Sequence, residues 1–96
     1  MPTPVPRLIT LVRTPACHFC DQAAERLEAL SRRFPLAVTT VDLDSPHGAA
    51  LIAEHRPGMY PLVLLDGEFF SSGRLPATKL TRLLERDADV LSRAAR

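Results

Sequence analysis

Arg7-Leu8-Ile9-Thr10-Leu11-Val12-Arg13-Thr14-Pro15-Ala16-Cys17-His18-Phe19-Cys20 decides the fold. Its first half is a short, nearly continuous apolar run with β-branched members, the composition of a buried strand. Thr14-Pro15-Ala16 breaks the run, because proline disfavours a central strand. Phe19, Ala23, Leu27 and Leu30 then recur at helical spacing, while Gln22, Glu25, Arg26, Glu28 and Arg32 face elsewhere. This predicts a helix over about 17–33, with Glu28 and Arg32 as an i,i+4 pair. Both cysteines therefore stand at a strand–turn–helix junction.

Outward from that junction the chain reads as one small domain. Residues 1–6 carry three prolines at alternate positions and read as a flexible arm; residues 7–96 form the domain. Pro35 ends the helical pattern, and the β-branched run 36–41 is a second strand. Asp42 and Asp44 are loop or capping residues. Ser45-Pro46 is an N-cap and first helical position for a short helix to Glu54 or His55, stopped by Arg56-Pro57-Gly58. His47 and His55 are expected to be exposed on it. A third strand spans 60–65, and Asp66-Gly67 is a hairpin signal leading into a fourth over 68–71. Ser72-Gly73-Arg74 is a turn. A last helix opens at Leu75 or Pro76, carries Leu80, Leu83 and Leu84 on one face, and runs to at least Arg86, with Ser92 as a candidate end. The order β-α-β-α-β-β-α gives an α/β fold. The first two strands are parallel through a right-handed crossover and the last two form a hairpin. The expected product is a four-stranded mixed sheet with helices on both faces.

The 96 residues carry a net charge of +1, so no global field favours nucleic acid, an acidic partner or a membrane surface. No apolar run approaches the roughly 18 residues of a spanning helix, and the proline-rich start lacks the regions of a secretory signal. The reading is cytoplasmic. Nucleic-acid binding has no support, since no basic cluster is interleaved with aromatics. Two cysteines cannot make a secreted disulfide scaffold. Spaced as Cys17-x-x-Cys20, they point to redox chemistry or half of a metal site. A zinc site needs about four ligands, and His47 and His55 lie on another element, so no metal is assigned within one chain.

At a helix N-terminus Cys17 faces free backbone N–H groups and the positive end of the helix dipole, which favour thiolate and lower a thiol pKa from about 8.5. A three-residue offset brings Cys20 behind it, close enough for a disulfide. An attacking thiolate with a nearby resolving thiol is what thiol–disulfide exchange requires. The bland alternative is two ordinary cysteines at chance spacing. His18 either adds positive charge beside Cys17 or is an exposed helix residue; Phe19 packs over or shields the motif. Arg13 and Arg74 either supply positive charge near the cysteines or are solvated. Met59-Tyr60-Pro61 heads the third strand. Generic statistics favour a trans bond there. Its place beside the first helix's N-terminus shifts that balance without deciding it; a cis bond would leave the Tyr60 backbone free to pair with an extended substrate.

These residues resemble the thioredoxin-fold superfamily, and within it the glutaredoxin-like small redoxins, over about residues 7–86. The resemblance rests on Cys17-x-x-Cys20 after the first strand, Pro61 at the head of the third, Asp66-Gly67 in the hairpin and Ser72-Gly73 before the last helix. It implies a disulfide oxidoreductase with Cys17 as nucleophile, Cys20 as resolving thiol and a cis Pro61. Arg13, His18, Phe19, Met59, Tyr60, Pro61, Ser72, Gly73 and Arg74 would flank the substrate. It further implies no tightly bound cofactor, a disulfide-containing protein or small thiol as substrate, a low-molecular-weight thiol or a flavin reductase as reducing partner, and a monomer. The chain departs from the glutaredoxin pattern at His18-Phe19, where Pro-Tyr is usual, and at Met59-Tyr60, where Thr-Val is usual. It departs again at Ser71-Ser72-Gly73-Arg74, which lacks the acidic residue that grips the glutathione amine. The competing function is a non-catalytic binding module, or a carrier of a metal or iron–sulfur cluster shared between two chains through the CxxC. A third is a structural protein with vestigial cysteines.

Overall fold

The computed structural model describes residues 6–94, and side-chain surroundings through residue 90. The arm expected over 1–6 thus lies, Pro6 apart, outside the described residues. The elements are β1 (Arg7–Arg13), α1 (His18–Ser31), β2 (Leu36–Asp42), α2 (Pro46–His55), β3 (Leu62–Leu65), β4 (Glu68–Ser72) and α3 (Ala77–Ala94). The sheet order is β2-β1-β3-β4. β1 pairs parallel with β2, from Arg7 opposite Leu36 to Arg13 opposite Asp42, and antiparallel with β3, with Val12 opposite Leu62. β3 and β4 form the antiparallel hairpin, so the sheet is mixed and four-stranded.

Alternation along the strands divides the apolar side chains between two layers. Ile9, Leu11 and Val63 face α1 and α3, where they pack with Leu27, Leu30, Leu75, Leu80 and Leu84. Val12, Val41, Leu62 and Leu64 face the other way, beneath Leu51 and Ile52 of α2. Leu11, Val12, Leu27, Leu62 and Leu80 are fully buried, each contributing about 1.5–3 kcal/mol against exposure. The short α2 covers only part of its face, and Leu8 and Phe69 are exposed. α2 approaches the end of β2 closely: a Cβ on buried Gly48 would collide with the Asp42 carbonyl oxygen.

Local chemistry sets the element ends, and several differ from the sequence reading. Cys17 has extended backbone and is the N-cap of α1 rather than its first residue; the helix closes at Ser31, short of Arg33, with Arg33 and Phe34 N–H groups both returning to the Leu30 carbonyl. β3 begins at Leu62, not Tyr60, because Pro61 has no N–H for the ladder. The Tyr60–Pro61 bond is cis. β4 extends to Ser72 with a bulge that leaves Phe70 as the extra residue. α3 starts at Ala77, after Pro76 accepts the Leu80 N–H, and extends past Ser92. α2 matches its reading, with Ser45 Oγ accepting the Gly48 N–H and left-handed Arg56 closing the helix. His55 is a correction: its side chain is only 13% exposed, with Nε2 3.7 Å from the Glu54 carboxylate. Asp66 and Gly67 both have positive φ, the two-residue turn whose twist suits a hairpin.

An ion cluster closes the N-terminal end of β1. The Arg7 guanidinium donates to Asp87 of α3 at 2.7 Å and to Asp66 of the hairpin at 2.6 Å. The Leu8 N–H donates to Asp66 Oδ1 at 2.9 Å. That N–H, and after it the Arg7 charge, hold the Asp66 carboxyl below its ordinary range. A depressed carboxylate adds stability in full above its unfolded pKa of about 3.9, and the gain drains away as pH falls through the lower native value. Asp66→Asn keeps the left-handed turn and the acceptor for Leu8 and removes only the charge. With partners this exposed (34% and 40% of side-chain area), it should cost about 1 kcal/mol or less near neutral pH. Urea unfolding should show wild type losing more stability than the variant between neutrality and about pH 3; parallel losses would remove Asp66 from the cluster's energetics.

Candidate functional site

The register gathers one row of residues at the C-terminal end of β1. Arg13 is opposite Asp42 in β2. Continuing the β1–β3 and β3–β4 registers by one residue places Pro61 beside Arg13 and Gly73 beside Pro61. The Gly73 N–H donates to the Pro61 carbonyl at 3.0 Å, extending the ladder past the strand end. The turn 14–16 leaves this same end and delivers Cys17 to α1. Three loops that are distant in sequence therefore meet where the strands stop.

Cys17 caps α1 with its sulfur: Sγ accepts the Cys20 N–H at 3.1 Å, and its carbonyl accepts the Asp21 N–H. Cys17 and Cys20 are joined as a disulfide, their Cα atoms 5.1 Å apart. The environments of the pair are unequal. Cys17 is half-buried at the helix mouth, whereas Cys20 is wholly buried. Ala16, just before the cap, has φ +54°, a left-handed conformation that a side chain rarely adopts. Alanine gives no sequence signal for it, and it is one of the residues that sequence reasoning missed.

Asp21 is another. Its carboxylate follows Cys20 in the first turn of α1 and pairs with Arg13 at 2.8 Å. Arg13 is thus neither free nor simply solvated: it offsets the one acidic charge in that turn and ties β1 to α1. A basic residue ending a strand, eight positions before an acidic first-turn residue, was the available signal. His18 is exposed, with Nε2 3.2 Å from the Gln22 amide nitrogen, and its ring centroid lies 6.2 Å from that of Phe19. Phe19 is 37% exposed and does not pack into the core.

On the other side of the row, Pro61 is buried, Tyr60 half-buried and Met59 exposed. Gly73 has φ +85°, and a Cβ there would lie 3.2 Å from Met59 Cβ and 3.3 Å from its sulfur. Ser72 is the last residue of β4, and Arg74 projects exposed beyond the turn. The structure thus brings Arg13, Pro61, Ser72 and Gly73 to one sheet end, with the cysteines carried there by the turn and Met59, Tyr60 and Arg74 flanking. His55, on α2, is outside the row. Among the described residues no cluster of three or more His, Cys, Asp or Glu is arranged to hold a metal ion.

Gly73→Ala tests how tightly the row is built. Alanine at positive φ costs about 1–2 kcal/mol, and the added Cβ must also displace Met59. A loss of that size in urea unfolding is expected; an unchanged midpoint would mean that the turn relaxes freely.

The model of the glutaredoxin-like domain family (DUF836) matches residues 8–85. Comparison with curated protein sequences returns no match. Among solved structures, a thioredoxin-like protein from Clostridium perfringens superposes with TM-score 0.67 at 14% identity, over 84% of this chain and 70% of that one. A mutant thioredoxin from Halobacterium salinarum gives 0.61 at 23% identity, over 83% and 73%. Fasciola hepatica thioredoxin gives 0.60 at 23%, over 85% and 81%. At these identities the structures establish a thioredoxin-like fold, and the family match places the chain among the glutaredoxin-like domain proteins.

Proposed function

We propose that the chain catalyses thiol–disulfide exchange through Cys17 and Cys20. The observation that carries this is the asymmetry of the pair: one sulfur caps a helix at a solvent-reached mouth, and the other is sealed behind it. Once the pair is reduced, the Cys20 N–H and the unpaired N–H groups of the first turn favour negative charge on Cys17. The Arg13–Asp21 pair keeps the nearby carboxylate from opposing that charge.

The thiolate of Cys17 attacks one sulfur of a substrate disulfide, forming a mixed disulfide and releasing the other half as a thiolate. Cys20, deprotonated, attacks the Cys17 sulfur, and the second half of the substrate leaves as a thiolate that takes up the proton. The substrate has gained two electrons and the chain holds the Cys17–Cys20 disulfide seen here. An external dithiol or low-molecular-weight thiol, or a flavin reductase, must then reduce it. An extended substrate would lie against Met59-Tyr60-Pro61 and Ser72-Gly73-Arg74, using the Tyr60 backbone as a strand partner, with His18 and Phe19 bordering the sulfur. Substrates would be protein or low-molecular-weight disulfides. No tightly bound cofactor is called for, and the chain would act as a cytoplasmic monomer. No helix among the described residues is long and apolar enough to cross a membrane.

Substitution separates the two roles. Cys17→Ser should abolish exchange with a peptide disulfide, whereas Cys20→Ser should accumulate a mixed disulfide visible by intact mass. Equal residual turnover in both variants, with no trapped adduct, would overturn these assignments.

A further inference from the structure

The basic residues are distributed unevenly. A groove of about 990 Å³ runs between α1 and the start of α3, and Arg26, Arg74, Lys79, Arg82 and Arg86 line it with Glu25 as the sole acid. The chain has 12 basic and 11 acidic residues, so a nearly neutral protein carries one strongly cationic cleft. All five cations are exposed. Lys79 stands over the Phe70 ring at 5.2 Å. Among the described residues, the four arginines form no ion pair, in contrast to Arg7, Arg13 and Arg32, which are paired. Like charges around one cleft raise the local positive potential, which solvent screens in part and a bound anion would offset.

The groove is continuous with the candidate site at two points. Gln22, on its wall, is the residue that meets His18 beside Cys17. Arg74, at its head, directly follows Gly73, the residue bonded to the Pro61 carbonyl. Lys79, Arg82 and Arg86 follow one face of α3, over about 10 Å at 1.5 Å per residue. That is the reach of about three residues of extended chain. No aromatic side chain lines the cleft, so it offers no platform on which nucleic-acid bases would stack.

We propose that this groove docks an acidic stretch of the polypeptide whose disulfide Cys17 attacks. The nature of the occupant rests on the exchange reading above; the charge it must carry rests on the groove alone. Carboxylates of the substrate protein seat along Lys79, Arg82 and Arg86 while its disulfide lies at the row of Cys17, Pro61 and Gly73. The groove thereby selects among disulfides that the dithiol itself would treat alike.

The test uses the full chain and an Arg82→Gln/Arg86→Gln double variant, both reduced. Neither residue touches the dithiol, and both are exposed, so the helical circular dichroism should be unchanged. A fluorescein-labelled, cysteine-free peptide rich in Asp and Glu should bind the wild type at low salt and weaken several-fold in the variant. It should also weaken as salt rises from about 0.01 M to about 0.15 M, where screening shortens to about 8 Å. Exchange with a disulfide embedded in an acidic peptide should slow about tenfold in the variant, the scale of lost electrostatic steering. Exchange with a small neutral disulfide should not change. The proposal falls if the acidic peptide binds no better than a neutral one, if the variant binds it equally well, or if a single-stranded oligonucleotide of equal charge binds more tightly than the peptide. If no disulfide is exchanged but the acidic peptide still binds through Arg82 and Arg86, the exchange reading fails and the groove stands. If exchange proceeds without charge preference, the groove fails and the exchange reading stands.

Discussion

Strand β1 is hydrogen-bonded along both edges, to β2 on one side and β3 on the other, and its side chains enter both core layers. That double constraint fixes the backbone up to Arg13. A strand held on four sides has no freedom left for its end to wander. Whatever leaves that end is therefore placed to within the freedom of its own short turn, and here the turn 14–16 leads directly to Cys17. Pro61 and Gly73 are then positioned by ladder register, which the Gly73 N–H bond to the Pro61 carbonyl extends past the strand ends.

Much of this was legible because it depends on local pattern. The apolar run 8–12 and the helical spacing of Phe19, Ala23, Leu27 and Leu30 define β1 and α1, and Asp66-Gly67 announces the hairpin. Register then follows from topology, which is why Pro61, far from the cysteines in sequence, could be assigned to their end of the sheet, whereas Gly73 came there only through the family resemblance. Even so, Phe19, counted in the apolar stripe, is exposed. In that first turn the buried side of the helix is taken by Cys20 and not by Phe19.

What escaped the sequence lies in interactions without a local signature. Cys17 serves as an N-cap through sulfur, where Ser, Thr, Asp or Asn would be the recognisable residue, so the helix reads as starting one residue early. Ala16 adopts a backbone that sequence would assign to glycine. The Arg7 cluster joins residues 59 and 80 positions apart, and nothing near Arg7 announces either carboxylate. The cationic groove combines Arg26 with residues 74–86 and is invisible to a net charge of +1, which sums over the very separation that creates it. His55 reads as a polar residue on an exposed helix, yet at the last position of α2 its side chain is only 13% exposed.

The two ends of β1 also divide the molecule's work. Arg7 opens the strand and Arg13 closes it, six steps apart, or about 20 Å at 3.3 Å per residue. At the first end, Arg7 binds the hairpin and α3 through two carboxylates. At the second, Arg13 binds only the first turn of α1, and the surrounding groups are a strained alanine, a proline without a donor and a glycine at positive φ. Two carboxylates tie down the end that carries no sulfur, whereas among the described residues the cysteine end has the single Arg13–Asp21 pair and is otherwise shaped by backbone conformation over a buried core. The core packed on both faces of β1 lets the Arg13 end keep conformations that cost free energy locally. Further carboxylates at the Arg13 end would stand at the N-terminus of α1 and, unless paired as Asp21 is, would compete with the Cys17 sulfur for its free N–H groups.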